Sequence, residues 1–206
     1  MSTPEVLRDG LTRKGRATRA RIVGAAADLM FRQGVSRTST EEVRTAAGVS
    51  NSQLYHYFTD KSALVRAVIT HQTEQVLAGQ QPLLSSLDSF EALTAWRDLL
   101  VQGQRLRGCT GGCPLGSLAS ELADTDEQTR LALVDGFSRW DTAIRDGLTA
   151  MHRRGELRAT ADPDALALGT LAAVQGGLLL TQTLRDTAPL EAALDLAICG
   201  IHANAT

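Results

Sequence analysis

The chain has 206 residues, of which 43 % are hydrophobic and 21 % charged, with a formal net charge of −2. That is the composition of a globular protein of one or two domains. Its three cysteines, an odd number, argue against a disulfide framework, and no apolar run approaches the ~20 residues that span a bilayer. The charge is uneven: residues 1–70 carry 11 Lys/Arg against 6 Asp/Glu, a net +5, and the remainder a net −7.

A basic first third beside an acidic body suits a nucleic-acid-binding head on a body that nucleic acid does not attract. Residues 1–12 show no periodicity and are expected to be mobile. The first twenty residues carry charges but no apolar stretch of a secretory leader, so a cytoplasmic protein is expected. Arg13, Lys14, Arg16, Arg19 and Arg21 follow in a nine-residue window. They fit either the solvated start of a helix or phosphate contacts with an arm into a minor groove. Helix one is predicted over residues 17–33. Ile22, Ala25, Ala26, Leu29 and Met30 recur at helical spacing and form one apolar face, and Gly34 stops the helix.

Residues 39–61 read STEEVRTAAGVSNSQLYHYFTDK and predict two short helices joined by a tight turn. Ser39 and Glu42 form an S-x-x-E capping box, and Ser50 and Gln53 form an S-x-x-Q box. Gly48 ends the first helix in the left-handed region, and Val49 can plug the space between the two. This is helix-turn-helix grammar. The second helix turns only Leu54 and Phe58 plainly inward. Asn51, Ser52, Gln53 and His56 offer the donors and acceptors that base edges in a major groove demand, although a solvated surface helix would show them too.

Residues 17–64 resemble, without a gap, the DNA-binding domain of the TetR family of bacterial repressors. Ile22, Ala25, Ala26, Leu29, Met30 and Gly34 carry the first part of the resemblance. Glu41, Glu42, Val43, Ala47, Gly48, Val49, Ser50, Leu54, Tyr55, Tyr57, Phe58 and the run Lys61, Ser62, Ala63, Leu64 carry the rest. On this resemblance Arg13, Lys14, Arg16, Thr38, Ser39, Tyr55, Tyr57 and Lys61 are expected on phosphates. Asn51, Ser52, Gln53 and His56 are expected on base edges, Gln53 or Asn51 by a bidentate pair with adenine. Residues 51–53 differ from the commonest family residues, so the resemblance implies no operator sequence.

Helix four is predicted from an Asp60 cap to about residue 80, with Leu64, Val65, Val68, Ile69, Val76 and Leu77 apolar, and it connects head to body. Pro82 ends it. Helix five follows over residues 89–106, carrying Trp96 and Leu100. The loop RGCTGG at 107–112 is glycine-rich but lacks the lysine and Ser/Thr of a phosphate-binding loop. Helix six (114–123) opens on Pro114, and helix seven (127–154) carries a stripe of Phe137, Trp140, Ile144, Leu148 and Met151. Helices eight (163–184) and nine (190–202) have few charges. Helix eight is apolar or small nearly all round, which predicts burial on every side with a second subunit supplying the missing cover. Gly169, Gly176 and Gly177 would let helices approach closely. The expectation is therefore an all-α chain of about nine helices. Residues 1–60 form a three-helix DNA-binding head with a basic arm, and residues 61–206 form a ligand-binding and dimerisation body.

The body resembles the LmrA/YxaF-like branch of the same family. The similarity lies in Gly112, Cys113, Pro114, Leu115 and Gly116, in Leu118, Ala119 and Glu121, and in Gly176, Gly177 and Leu178. Arg185, Asp186, Pro189 and Leu190 extend it. It implies a homodimer through the last two helices, with Leu171, Val174, Leu178, Leu194 and Ile198 as candidate contacts. It also implies a repressor that leaves double-stranded operator DNA on binding a lipophilic small molecule. Trp96, Leu100, Phe137, Trp140, Ile144, Gln175 and Leu179 are the candidate ligand contacts, each of which is also a plausible core residue.

No catalytic constellation is visible. His56, His71, His152 and His202 are scattered, with neither H-E-x-x-H nor G-x-S-x-G. Cys109 and Cys113 lack a second ligand pair at zinc spacing, so no metal, cofactor or membrane partner is expected. Cys113 stands before a helix start, where the dipole favours thiolate, so a redox or electrophile sensor is the second reading beside a small buried residue. An all-α enzyme or binding protein without DNA function is the remote alternative.

Overall fold

The computed structural model describes residues 11–206; the mobile stretch expected at the N-terminus lies outside these apart from Leu11 and Thr12. Among the described residues there are nine α-helices. They are α1 (Arg13–Gln33), α2 (Thr40–Ala47), α3 (Asn51–Tyr57), α4 (Lys61–Ala78), α5 (Phe90–Leu106), α6 (Pro114–Leu122), α7 (Glu127–Arg153), α8 (Pro163–Leu184) and α9 (Ala188–His202). A short 3-10 turn, Leu83–Ser86, lies between α4 and α5. Helix α1 starts earlier than its apolar face suggests, because the Thr12 hydroxyl accepts from the Gly15 amide at 3.1 Å. The basic cluster is thus helical from Arg13 onward.

Both capping boxes form. Ser39 Oγ accepts from Glu42 N at 3.2 Å, and the Glu42 carboxylate accepts from Ser39 N at 2.8 Å. Ser50 Oγ accepts from Gln53 N at 3.2 Å, and Gln53 Oε1 accepts from Ser50 N at 2.9 Å. Each hydroxyl cap contributes about 1 kcal/mol. Gly48 takes φ 62°, the left-handed stop. Ile22, Ala26, Val43, Val49, Leu54 and Phe58 make the head's core, and α4 closes it with Leu64, Val65 and Val68.

The body is built round α7. Gly147 lets the backbone at Leu87 lie directly on the helix, and a Cβ at Gly136 would meet Thr73 Oγ1 of α4 at 2.5 Å. Trp140, Ile144, Leu148 and Met151 fill the centre. Buried side chains of this size contribute ~1.5–3 kcal/mol each.

Helix α8 corrects the sequence reading. Leu171, Val174 and Leu178 turn into the chain's own core at 6, 0 and 5 % exposure, as does Leu194 of α9 at 0 %. Ile198 is half-buried. None of the four buried residues is open to a partner. The free face is the opposite one: Leu168, Leu179, Leu180 and Leu184 are 63, 63, 51 and 64 % exposed, and Leu196 of α9 is 75 % exposed. An apolar helix has two faces of similar composition, and only packing decides which turns inward. Gly177 alone serves the α8–α9 approach, since a Cβ there would stand 2.9 Å from Leu190 Cα; Gly169 and Gly176 face open space. Helix α8 also has the length and mean hydropathy, 1.4, of a membrane span, contrary to the first expectation, yet it packs on α7 and α9.

Candidate nucleic-acid face and effector cavity

Helix α3 is short and pinned by Leu54 and Phe58, 2 and 4 % exposed. That pinning leaves Asn51, Ser52, Gln53, Tyr55 and His56 exposed on one outer surface. The four expected base readers therefore share a face. Gln53 differs from Asn51 in one respect: its carbonyl is engaged in the cap of its own helix. A bidentate pair needs the amide oxygen and nitrogen together, so Gln53 would have to give up its cap, whereas Asn51 has no such bond to lose.

The expected phosphate contacts divide. Arg13, Lys14, Ser39 and Tyr55 are exposed. Tyr57 is half-buried, edge-on to His56 with ring centroids 4.9 Å apart. Arg16 donates to the Leu11 carbonyl at 2.9 Å. Thr38 is a correction: it is 1 % exposed, and its hydroxyl donates to the Gly34 carbonyl at 2.8 Å. The turn uses that hydroxyl internally. Lys61 donates to the Val35 carbonyl at 2.7 Å, which leaves ammonium protons for another acceptor. Arg19, within the basic cluster, instead lies over the Phe58 ring at 5.2 Å.

The same turn is held from the body. Glu121, in the last turn of α6, accepts from Val35 N at 2.9 Å and Ser36 N at 2.7 Å. Desolvation raises this carboxyl, but the Val35 and Ser36 amides, the Ser36 hydroxyl and the Lys61 ammonium outweigh it and hold the group below its ordinary 4.5. In the sequence Glu121 stands out only as a point of family resemblance; no local spacing marks a residue that caps a turn 85 positions away.

A cavity of about 360 Å³ opens between α4, α5 and the start of α6. Its apolar wall includes Val76, Leu99, Leu100, Pro114, Trp140 and Leu178. Its polar wall is Gln72, Gln75, Gln80, Gln104 and Arg107. Phe31, from α1 of the head, lines it too, and also lines a smaller 100 Å³ cavity that reaches Gly34 and Glu121. The Phe31 ring lies against Gly111, where a Cβ would collide with it. Trp140 Nε1 and Gln104 Oε1 are buried in the wall without a partner among the described residues.

Two of the seven expected ligand contacts, Leu100 and Trp140, line this cavity. Trp96 lies behind it, fully buried and donating to Gln80 Oε1 at 2.8 Å. Ile144 is core, Phe137 is half-buried outside the lining, and Leu179 is on the outer face of α8. Gln175 sits next to the cavity, its Nε2 buried and unpaired. Three helical glutamines, Gln72, Gln75 and Gln104, and Gln80 in the turn after α4 look like solvated ones in the sequence until the helices meet.

Cys113 caps α6: its sulfur accepts from Gly116 N at 3.3 Å. It is 8 % exposed, and burial pushes its thiol up more than the Gly116 amide lowers it. Burial thus opposes the thiolate that the helix dipole would favour. Among the described residues no group of His, Cys, Asp and Glu is arranged to hold a metal.

Comparison with known proteins agrees with this geometry. Residues 22–68 match the family described as bacterial regulatory proteins, tetR family, and residues 89–197 match the tetracyclin repressor-like C-terminal domain. An HTH-type transcriptional regulator in the lacX 3' region of Lactococcus lactis subsp. lactis is 30 % identical over 186 residues, covering 88 % of this chain and 91 % of that protein. The HTH-type regulator YxaF of Bacillus subtilis is 27 % identical over 84 % of this chain and 89 % of its own length. The crystal structure of a TetR transcriptional regulator from Chloroflexus aurantiacus superposes with a TM-score of 0.75 at 27 % identity, covering 94 % of this chain and 98 % of that one.

Proposed function

The chain belongs to the TetR family of bacterial transcriptional regulators, which are not enzymes, and from that premise we propose that it is a homodimeric cytoplasmic repressor released from its operator by a lipophilic effector. The observation that carries the ligand response is the shared wall: Phe31 of the head and Trp140 of the body line one cavity. An occupant of that cavity touches both units at once.

The route to DNA is short. Phe31 lies one turn before Gly34, and Glu121 and Lys61 hold the turn that follows. Helix α4 supplies Gln72, Gln75 and Val76 to the cavity, and its first residue is Lys61. A ligand that displaces Phe31 or the body end of α4 moves α3. Two heads of a symmetric dimer must meet grooves about 34–36 Å apart, or a multiple of that turn, to bind both half-sites. An effector that prefers the wrongly spaced state by ~3 kcal/mol shifts the equilibrium more than a hundredfold.

The dimer reading is supported by the leucine face of α8 and α9, an unusually apolar surface for a monomer. Gly169 and Gly176, open on that face, would admit a partner helix closely. The test of the whole reading is a screen of lipophilic compounds scored on tryptophan fluorescence and on operator release. Compounds that quench fluorescence should release DNA over the same concentration range. If the compounds that bind leave operator affinity unchanged, the cavity is not a switch.

A further inference from the structure

Among the described residues, Arg107 is the one charged residue in the lining of the 360 Å³ cavity, and no Asp or Glu lines it. It caps the C-terminal end of α5, and its side chain is exposed at the cavity mouth. The guanidinium folds back along the helix, so that Nη1 would stand 3.4 Å from a Cβ at Gly103, itself a lining residue. Other arginines on the same helix are engaged: Arg97 by Asp195 at 2.9 Å and Arg105 by Glu191 at 2.6 Å. Arg107 has no such partner among the described residues. Two backbone carbonyls at this helix end are satisfied by the chain that follows, Gln104 O accepting from Cys109 N at 2.9 Å and Arg105 O from Gly108 N at 3.0 Å. The free guanidinium is therefore not consumed by the helix terminus.

We propose that the cavity selects a ligand with an apolar body and a terminal carboxylate, the body against Leu99, Leu100, Val76 and Trp140 and the carboxylate on Arg107. The inference rests on the reading of this cavity as the effector site and names the chemical class of its ligand. A guanidinium presents a planar fork that matches a carboxylate with two parallel hydrogen bonds. A cationic ligand would meet the Arg107 charge, and the lining gives it only neutral amide oxygens in return. A neutral lipophile would fill the apolar part and leave the fork unused.

The test uses three probes that share one chain and differ at the head group: octanoate, 1-octanol and octylamine. Binding to the full chain is read from the fluorescence of Trp140, in the wall, and Trp96, bonded to Gln80 of the wall. Octanoate should bind about tenfold or more tightly than 1-octanol, as expected for a hydrogen bond to a charged group, with octylamine weaker than both. Arg107→Gln should bring octanoate to the level of 1-octanol and leave 1-octanol unchanged; Arg107→Lys should keep part of the preference. Because the Arg107 side chain has no partner, the variants should melt like the parent. Equal affinity for the three probes, or an acid preference that survives Arg107→Gln, overturns the proposal. If none of the probes binds, the cavity is not a lipophile site and both readings fall. If octanoate binds through Arg107 but leaves operator affinity unchanged, the carboxylate preference stands and the effector reading falls.

Discussion

Two neighbouring amides on the recognition helix have different duties. Asn51 is free at the first position of α3, while Gln53 closes the cap of that helix. Asn51→Ala should therefore relax discrimination at one operator position by ~1–3 kcal/mol while leaving stability nearly unchanged. Gln53→Ala should lose one capping bond and lower stability by about 0.5–1.5 kcal/mol. Binding to single-base operator variants, with thermal melting of each protein, separates the two; a large specificity loss only for Gln53→Ala would reverse the assignment. Glu121 permits a second residue-level prediction. Its carboxyl is held below 4.5, so its grip on Val35 and Ser36 is complete above that pH and is lost as pH falls through the lower, folded value. Hydrogen exchange at those two amides, corrected for its intrinsic pH dependence, should stay protected from pH 7 to 5 and open in more acid solution. Glu121→Ala should open them at neutral pH. Unchanged protection in that variant would mean the contact holds nothing. These residues also mark the limit of sequence reading. Capping boxes lie within four residues and could be read directly; the Glu121 clamp and the internal use of Thr38 depend on contacts that no local pattern encodes.

At the scale of elements, the apolar periodicity of α1 and α7 located the core, because each has one face richer in apolar side chains than the other. Helix α8 has no such contrast, so the dimer residues chosen from it fell on the inward side. The cavity was only partly legible for a related reason. Its wall comes from α1, α4, α5, α6, α7 and α8 together, and its glutamines acquire meaning only where those helices meet. The α8 geometry makes a direct prediction. Leu179→Glu, on the exposed face, should give a folded monomer with unchanged helix content. Leu178→Asp, one residue earlier, would bury an unpaired charge at a cost of ~3–5 kcal/mol and unfold the body. Sedimentation and circular dichroism read both. A Leu179→Glu variant that remains dimeric would show that this face is not the interface.

The whole molecule divides by charge as it divides by function. The head carries the net positive charge, with α3 and the start of α1 on its outer side, and the acidic body carries the cavity and the leucine face. This division was visible in the composition before any helix was placed, since charge balance needs no knowledge of packing. It implies affinity dominated by phosphate contacts and specificity confined to a few side chains on α3. The most direct test is to select duplexes from a random pool with the full chain and to measure the affinity of the enriched sequence against salt. The account predicts an inverted repeat whose half-sites are spaced by one helical turn or a multiple, bound by two chains or a multiple of two. With roughly six or more phosphate contacts, affinity should fall about a thousandfold or more between 50 and 200 mM salt. A pool that yields no enriched sequence, or binding that is indifferent to salt, would contradict it.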